Sequence, residues 1–206
     1  MGREEIIKEF RVRELLEATR RVIGKYGFQG ATIDRVADEA QVAKGTVYLY
    51  FDNKDDLLHV AILNGIRTML HELKGNGNAG QSPLEHLKSI VRQQFRLLDS
   101  NQDFVKALLL ESSLVSFKPG DRRAEEIRAI FLTYLDFLSG IFREAIAAGE
   151  VRPIAPDLCA FMLHELVTGS LLRRMLGLAT TPLKEDAESV LELFLRGIEV
   201  RCAGSQ

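Results

Sequence analysis

Apolar residues recur along this chain at three- and four-residue spacing, and no stretch of four to eight residues alternates apolar and polar positions between turn residues. The first pattern lines one face of a helix and the second would line one face of a strand, so the chain is predicted to be all-α. A helix over about residues 4–26 places Val12, Leu15, Leu16, Thr19, Val22 and Ile23 on one side, and Gly27 stands where a left-handed residue would end it. Thr32 is placed to cap a short helix reaching about Ala40, with Ile33, Val36, Ala37 and Ala40 inward. The tetrad Gln41 to Lys44 is too short for an element. It reads as a tight turn into a second short helix, about Lys44 to Phe51, buried through Val47 and Phe51.

Asp52 to Asp56 reads as a cap and an acidic first turn, opening a helix with Leu57, Leu58, Ala61, Ile62 and Ile66 to about Leu73. Gly75 to Gln81 interrupts the pattern. Ser82-Pro83-Leu84-Glu85 then supplies a cap, an N1 proline and a capping-box glutamate for a helix to about Asp99. Further helices are predicted at about 102–115, 121–148, 156–177 and 182–201, with Gly149 and Gly177 closing two of them.

Composition narrows the class. The 206 residues are 46% hydrophobic and 27% charged, which suits a globular chain and excludes a disordered or fibrous one. No apolar run approaches the roughly 20 residues needed to span a bilayer, and Arg3, Glu4 and Glu5 replace a secretory apolar segment. A cytoplasmic protein without membrane attachment is expected, with Cys159 and Cys202 as reduced, buried thiols. The four histidines, His59, His71, His86 and His164, are scattered, with only His59 and His71 sharing a predicted helix, and no HExxH, CxxC, GxSxG or Walker-type loop is present. No enzyme activity, metal site or cofactor is implied.

A net charge of -2 gives no global reason to expect nucleic acid as a partner. Up to Lys54, ten Lys/Arg oppose nine Asp/Glu, a balance of only +1. Any such function must therefore come from local placement, and residues 32–58 supply it with the layout of a helix-turn-helix. The outer side of the second short helix offers Lys44, Thr46, Tyr48 and Tyr50, each able to donate to phosphate or touch a base edge. Thr32, Gly45 with Thr46, and Lys54 stand at three helix starts, where free backbone N–H groups attract phosphate. The alternative is a helix-turn-helix module that contacts protein and not DNA.

Residues 10–60 closely resemble the N-terminal DNA-binding domain of the TetR family of bacterial transcriptional repressors. The matching residues are Thr32-Ile33, Val36-Ala37, Ala40, Val42, Gly45-Thr46-Val47-Tyr48, Tyr50-Phe51, Lys54 and Leu57. The resemblance implies that Thr32, Lys44, Gly45, Thr46, Tyr48, Tyr50 and Lys54 contact an operator, with Tyr48 and Lys44 nearest the bases. It also implies a division into a DNA-binding domain, 1–53, and a ligand-binding and dimerisation domain, 54–206, in which 54–74 is the connecting helix.

The helix at 156–177 is apolar nearly all round, and that at 182–201 carries apolar residues off its main face. Both need cover beyond one protomer, so a homodimer is expected to meet through Met162, Leu166, Leu172, Leu191, Phe194 and Ile198. Two reading helices about 34–36 Å apart would then read a palindromic double-stranded operator. The resemblance further implies a small hydrophobic or amphipathic effector that releases the repressor from DNA. Its pocket is sought where polar residues interrupt apolar faces: Gln94, Glu111, Tyr134, His164 and Thr168, walled by Phe95, Phe104, Phe131 and Phe161. Glu111 would favour a cationic effector, whereas Arg92 and Arg96 at a pocket mouth would favour a carboxylate.

Overall fold

Side chains that cap and punctuate the sequence do so in the computed structural model, which describes residues 2–75, 80–111 and 121–198. Among these residues the secondary structure is helical, as expected: α1 (Arg3–Gly30), α2 (Ile33–Glu39), α3 (Lys44–Tyr48), α4 (Lys54–Gly75), α5 (Pro83–Ser100), α6 (Gln102–Leu110), α7 (Arg122–Ala147), α8 (Pro156–Met175) and α9 (Asp186–Leu195), with a 3-10 turn at Leu183–Glu185. The Asn53 side chain accepts from Asp56 N at 2.9 Å to start α4, Ser82 from Glu85 N at 3.3 Å to start α5, and Asp121 from Arg123 N at 3.0 Å to start α7. Val115, Cys202 and the expected helix ends near 115 and 201 lie outside the described residues. None of the helices is long and apolar enough to cross a membrane among the described residues.

Gly27 takes a positive φ of 67°, but its ψ of 176° is extended, and one more helical turn follows to Gly30. The helix is therefore kinked there and not ended. A left-handed terminus appears instead at Gln41, φ 56°. Gln41 N donates to Asp38 O at 3.1 Å and Val42 N to Ala37 O at 2.9 Å, the paired bonds of a Schellman ending. A glutamine in this conformation costs about 1 kcal/mol, and no glycine marks the turn in the sequence.

The chain forms two compact units, Met1–Thr68 with Asn101–Ile130, and Met69–Ser100 with Phe131–Gln206. The divisions fall inside α4, between α5 and α6, and inside α7. In the first unit, Leu15, Ala18, Val22 and Ile23 of α1 join Ile33, Val36 and Ala37 of α2, Val47 of α3, and Leu57, Leu58 and Ala61 of α4. Phe104 and Ala107 of α6 complete this core. Phe104 reaches it because α4 has a glycine at the contact: a Cβ on Gly65 would lie 2.9 Å from the ring. The Arg20 guanidinium covers the same ring at 5.3 Å from its centre.

In the second unit, α5 contributes Leu87, Ile90, Val91, Phe95 and Leu98, α7 contributes Leu138, Ile141, Phe142 and Ala145, and α8 contributes Cys159, Ala160, Leu163, Val167 and Leu171. Arg174 at the end of α8 fastens the following segment. Its guanidinium donates to Asp186 at 2.6 Å, to Pro182 O at 2.9 Å and to Thr181 O at 2.9 Å. That contact holds the Asp186 carboxyl below its ordinary range.

The two kinds of helical glycine predict opposite outcomes. Gly65→Val overpacks the Phe104 contact and lowers unfolding free energy by about 2 kcal/mol. Gly140→Ala, with nothing within 4 Å of its Cβ, raises it by about 0.5–1 kcal/mol. Urea titration of the two variants beside the parent protein checks both signs.

Candidate DNA-binding surface and effector cluster

A helix of five residues has too few internal hydrogen bonds to persist alone, so α3 exists because the first unit holds it. Val47 does the holding, with no exposed surface at all, and Phe51 is buried just beyond the helix. Val47 O accepts from both Tyr50 N and Phe51 N at 3.1 Å, which tightens the last turn and ends α3 at Tyr48, short of the expected Phe51. With Val47 pinned inward, Lys44, Gly45 and Tyr48 are exposed and Thr46 is half-buried.

Tyr50 does not share that outward side. It follows the end of the helix and packs, half-buried, against the core of the first unit. Leu49 takes the exposed place beside Tyr48, the two being 78% and 51% exposed, and spacing from Val47 could have flagged it. Thr32 caps α2 by accepting from Arg35 N at 3.3 Å, which leaves its hydroxyl hydrogen free to donate outward. Lys54 reaches Gln29 O at 3.4 Å, and Lys44 is bound to Asp34, with Nζ 2.8 and 3.0 Å from the two carboxylate oxygens. The pairing raises the Lys44 ammonium above its ordinary pKa.

The residues expected to form an effector pocket divide between the units. Phe104 is core of the first, and Glu111 there lines a cavity of about 290 Å³ with Lys54, His59, Asp121 and Arg123. Sequence spacing did not signal this cavity, which the His59–Glu126 contact at 2.8 Å borders. In the second unit, Gln94, Phe131, Tyr134, His164 and Thr168 do come together. The Tyr134 hydroxyl donates to Gln94 Oε1 at 3.1 Å, and the His164 ring meets Phe131 and Tyr134 edge-on with centres 5.0 and 5.5 Å apart. Thr168 Oγ1 lies 3.4 Å from His164 Nε2, while His164 Nδ1 is buried without a partner. Phe95 is fully buried in the core and Phe161 faces outward.

This cluster is electrically neutral. Burial lowers the His164 pKa to about 4 and raises that of Tyr134. Arg92, considered as a carboxylate binder, is instead engaged by Glu188 at 2.6 and 3.0 Å. The chemistry on offer is hydrogen bonding to an uncharged polar group inside an apolar wall.

The residues expected at a dimer contact also divide. Met162, Leu166 and Leu172 are exposed on α8, together with Leu158 and Phe161, and Leu176 is exposed just beyond its end. Leu191 and Ile198 are buried within the protomer, and Leu193 is the exposed leucine of α9. The second unit thus uses Leu191 and Ile198 for its own core.

A short helix anchored by one valine, presented after a tight turn with a cation and a tyrosine outward, defines a helix-turn-helix DNA-binding protein. The sequence profile of bacterial regulatory proteins of the tetR family matches residues 15–61. The fatty acid metabolism regulator protein of Bacillus subtilis is 27% identical over 191 residues, 90% of this chain and 94% of that one. The transcriptional regulator BetI 1 of Chromohalobacter salexigens is 28% identical over 161 residues, 76% and 77% of the two chains. The crystal structure of the transcriptional regulator FadR from Bacillus subtilis in complex with stearoyl-CoA superposes with a TM-score of 0.77 at 25% identity, covering 91% of this chain and 99% of that one. Residues 15–61 thus carry the DNA-binding domain of the TetR family, and the chain is a helix-turn-helix transcriptional regulator.

Burial of His164 carries a pH signature. Unfolded, its imidazole takes up a proton as pH falls through about 6.5, whereas in the native protein it stays neutral until about 4. The unfolded state therefore gains protons first, and stability is lost on acidification across that window. Urea midpoints at pH 7 and near pH 4.5 should show about 2–3 kcal/mol more acid loss in the parent than in His164→Phe. Equal losses would place His164 in a solvated setting.

Proposed function

We propose that the chain represses transcription as a homodimer that lays α3 of each protomer in the major groove of a palindromic operator. A small hydrophobic or amphipathic effector in the second unit releases it. One observation carries the reading: Val47 is wholly buried while its neighbours Tyr48 and Leu49 stand in solvent with Lys44 beside them. A helix that served only to pack would not leave its largest apolar groups outside. Thr32, Lys44, Gly45, Thr46, Tyr48 and Lys54 make the contacts, those near the backbone fixing register and Tyr48 and Lys44 reaching base edges, while Tyr50 supports α3 from the core side. Gly45 supports a close approach, because nothing within 4 Å of its Cβ position requires a glycine in the free protein. The relatives named above are transcriptional regulators, which favours this reading over a protein-contact module.

Residues 1–53 carry the reading function and 54–206 the effector and dimer functions, without catalysis and in the cytoplasm. The dimer forms through the outer face of α8, whose Met162, Leu166 and Leu172 make an apolar surface next to Leu158 and Phe161. The neutral set Gln94, Tyr134, His164 and Thr168 suits an effector with an uncharged polar group on an apolar chain. The stearoyl-CoA bound by the Bacillus subtilis regulator supports an acyl compound as the class. Release requires that the effector prefer the protein arrangement in which the two α3 helices no longer match the operator. Displacement of α4 transmits the change.

Selection of bound duplexes from a random pool should enrich an inverted repeat with half-sites about one helical turn apart. Lys44→Ala and Tyr48→Ala should each weaken binding to that repeat at least about tenfold with unchanged melting temperature. Unchanged affinity in either variant contradicts the placement of α3 in the groove.

Light scattering should give twice 23.1 kDa for the parent chain and 23.1 kDa for Leu166→Glu/Leu172→Glu. A dimer surviving the double substitution rejects the α8 interface.

A further inference from the structure

A lysine that is to neutralise a DNA phosphate must first be available to it. Lys44, the first residue of α3, already has an anion: the Asp34 carboxylate on α2 grips its ammonium with both oxygens, at 2.8 and 3.0 Å. Both side chains are more than half exposed, so the pair sits at the surface and not in the core. Nothing about the spacing reveals it, since the two residues are ten apart in sequence and on different helices. The other acid engaged at the end of α2, Glu39, is held by Arg21 at 2.6 Å and leaves Lys44 alone.

We propose that Asp34 is an affinity-determining residue, a built-in competitor that occupies Lys44 in the DNA-free protein and must be displaced when phosphate arrives. The inference rests on the reading of α3 as the DNA-contacting helix. The physical basis is an exchange of anions. An exposed ion pair of this kind is weak, so phosphate can displace the carboxylate, but the pairing is intramolecular and so does not depend on protein concentration. Binding then leaves the carboxylate unpaired near the phosphate backbone, where it recruits a cation and offsets part of the counterion release that Lys44 would otherwise give. Asp34 thereby lowers sequence-independent affinity without altering the residues that read bases. For a chain with a net charge of -2, the device sets affinity through a single contact and not through bulk charge.

The test uses the full-length protein with two DNA probes, the repeat enriched by selection and a scrambled duplex of equal length, titrated over a range of salt. Asp34→Asn should tighten binding to both by about two- to fivefold at low salt. The slope of log K against log[salt] should steepen by up to about 0.9. In a Lys44→Ala background the same substitution should lose most of its effect, and Asp38→Asn, which removes an acid from the same helix, should produce a smaller gain. If Asp34→Asn melts too early to assay, Asp34→Ser carries the same test.

Unchanged affinity and slope in Asp34→Asn, with Lys44→Ala still weakening binding, would overturn the competitor role and leave the DNA-reading assignment intact. A loss of affinity would also overturn it, by making the carboxylate a support for Lys44. An equal gain in the Lys44→Ala background would reduce Asp34 to general charge. If Lys44→Ala itself binds as the parent does, the reading of α3 fails first.

Discussion

The burial of Val47 is the contact on which the molecule's reading surface depends. It is the one side chain of α3 that is fully inside, and a helix this short has no other source of order. A single buried position also fixes rotation about the helix axis. With Val47 inward, Lys44 and Tyr48 must face out, and the tight ending after Val47 sends Leu49 out and Tyr50 back toward the core. Function at this surface is thus a consequence of packing beneath it, and Val47 joins a core to which α1, α2, α4 and α6 all contribute.

The second unit works by the opposite device. Its α8 is apolar on two sides, one used by the unit's own core and the other left outside, so the helix carries more apolar surface than one chain covers. Within the same unit a neutral polar set, centred on His164 and Tyr134, lies against the Phe131 ring. Burial keeps both groups uncharged, which shapes what they can bind more strictly than their identities do. A continuous α4 carries residues of both units, giving a covalent route by which events in one bear on the other.

Among the described residues, helix order and the starts of α2, α4 and α5 were legible in the sequence because they depend on local rules: spacing, a cap such as Ser82, an N1 proline such as Pro83. Position on a face was legible for Val47 and Tyr48 for the same reason. Residues whose role depends on distant partners were not. Phe104 looks like a pocket wall from its own helix, but glycines at 24 and 65 on other helices admit it to the first unit's core. Leu191 and Ile198 carry the same apolar signal as Leu193, and only their neighbours in space decide which are covered. The Gln41 turn lacked its usual glycine, and Asp34 gave no sign of Lys44.

Amide hydrogen exchange of the protein with and without the selected operator repeat is the decisive measurement. Exchange should slow in residues 32–54, most from Lys44 to Tyr50, with α5, α8 and α9 little changed. Slowing confined to the second unit, with residues 44–50 exchanging as fast as in free protein, would contradict the reading of α3 as the DNA-contacting helix.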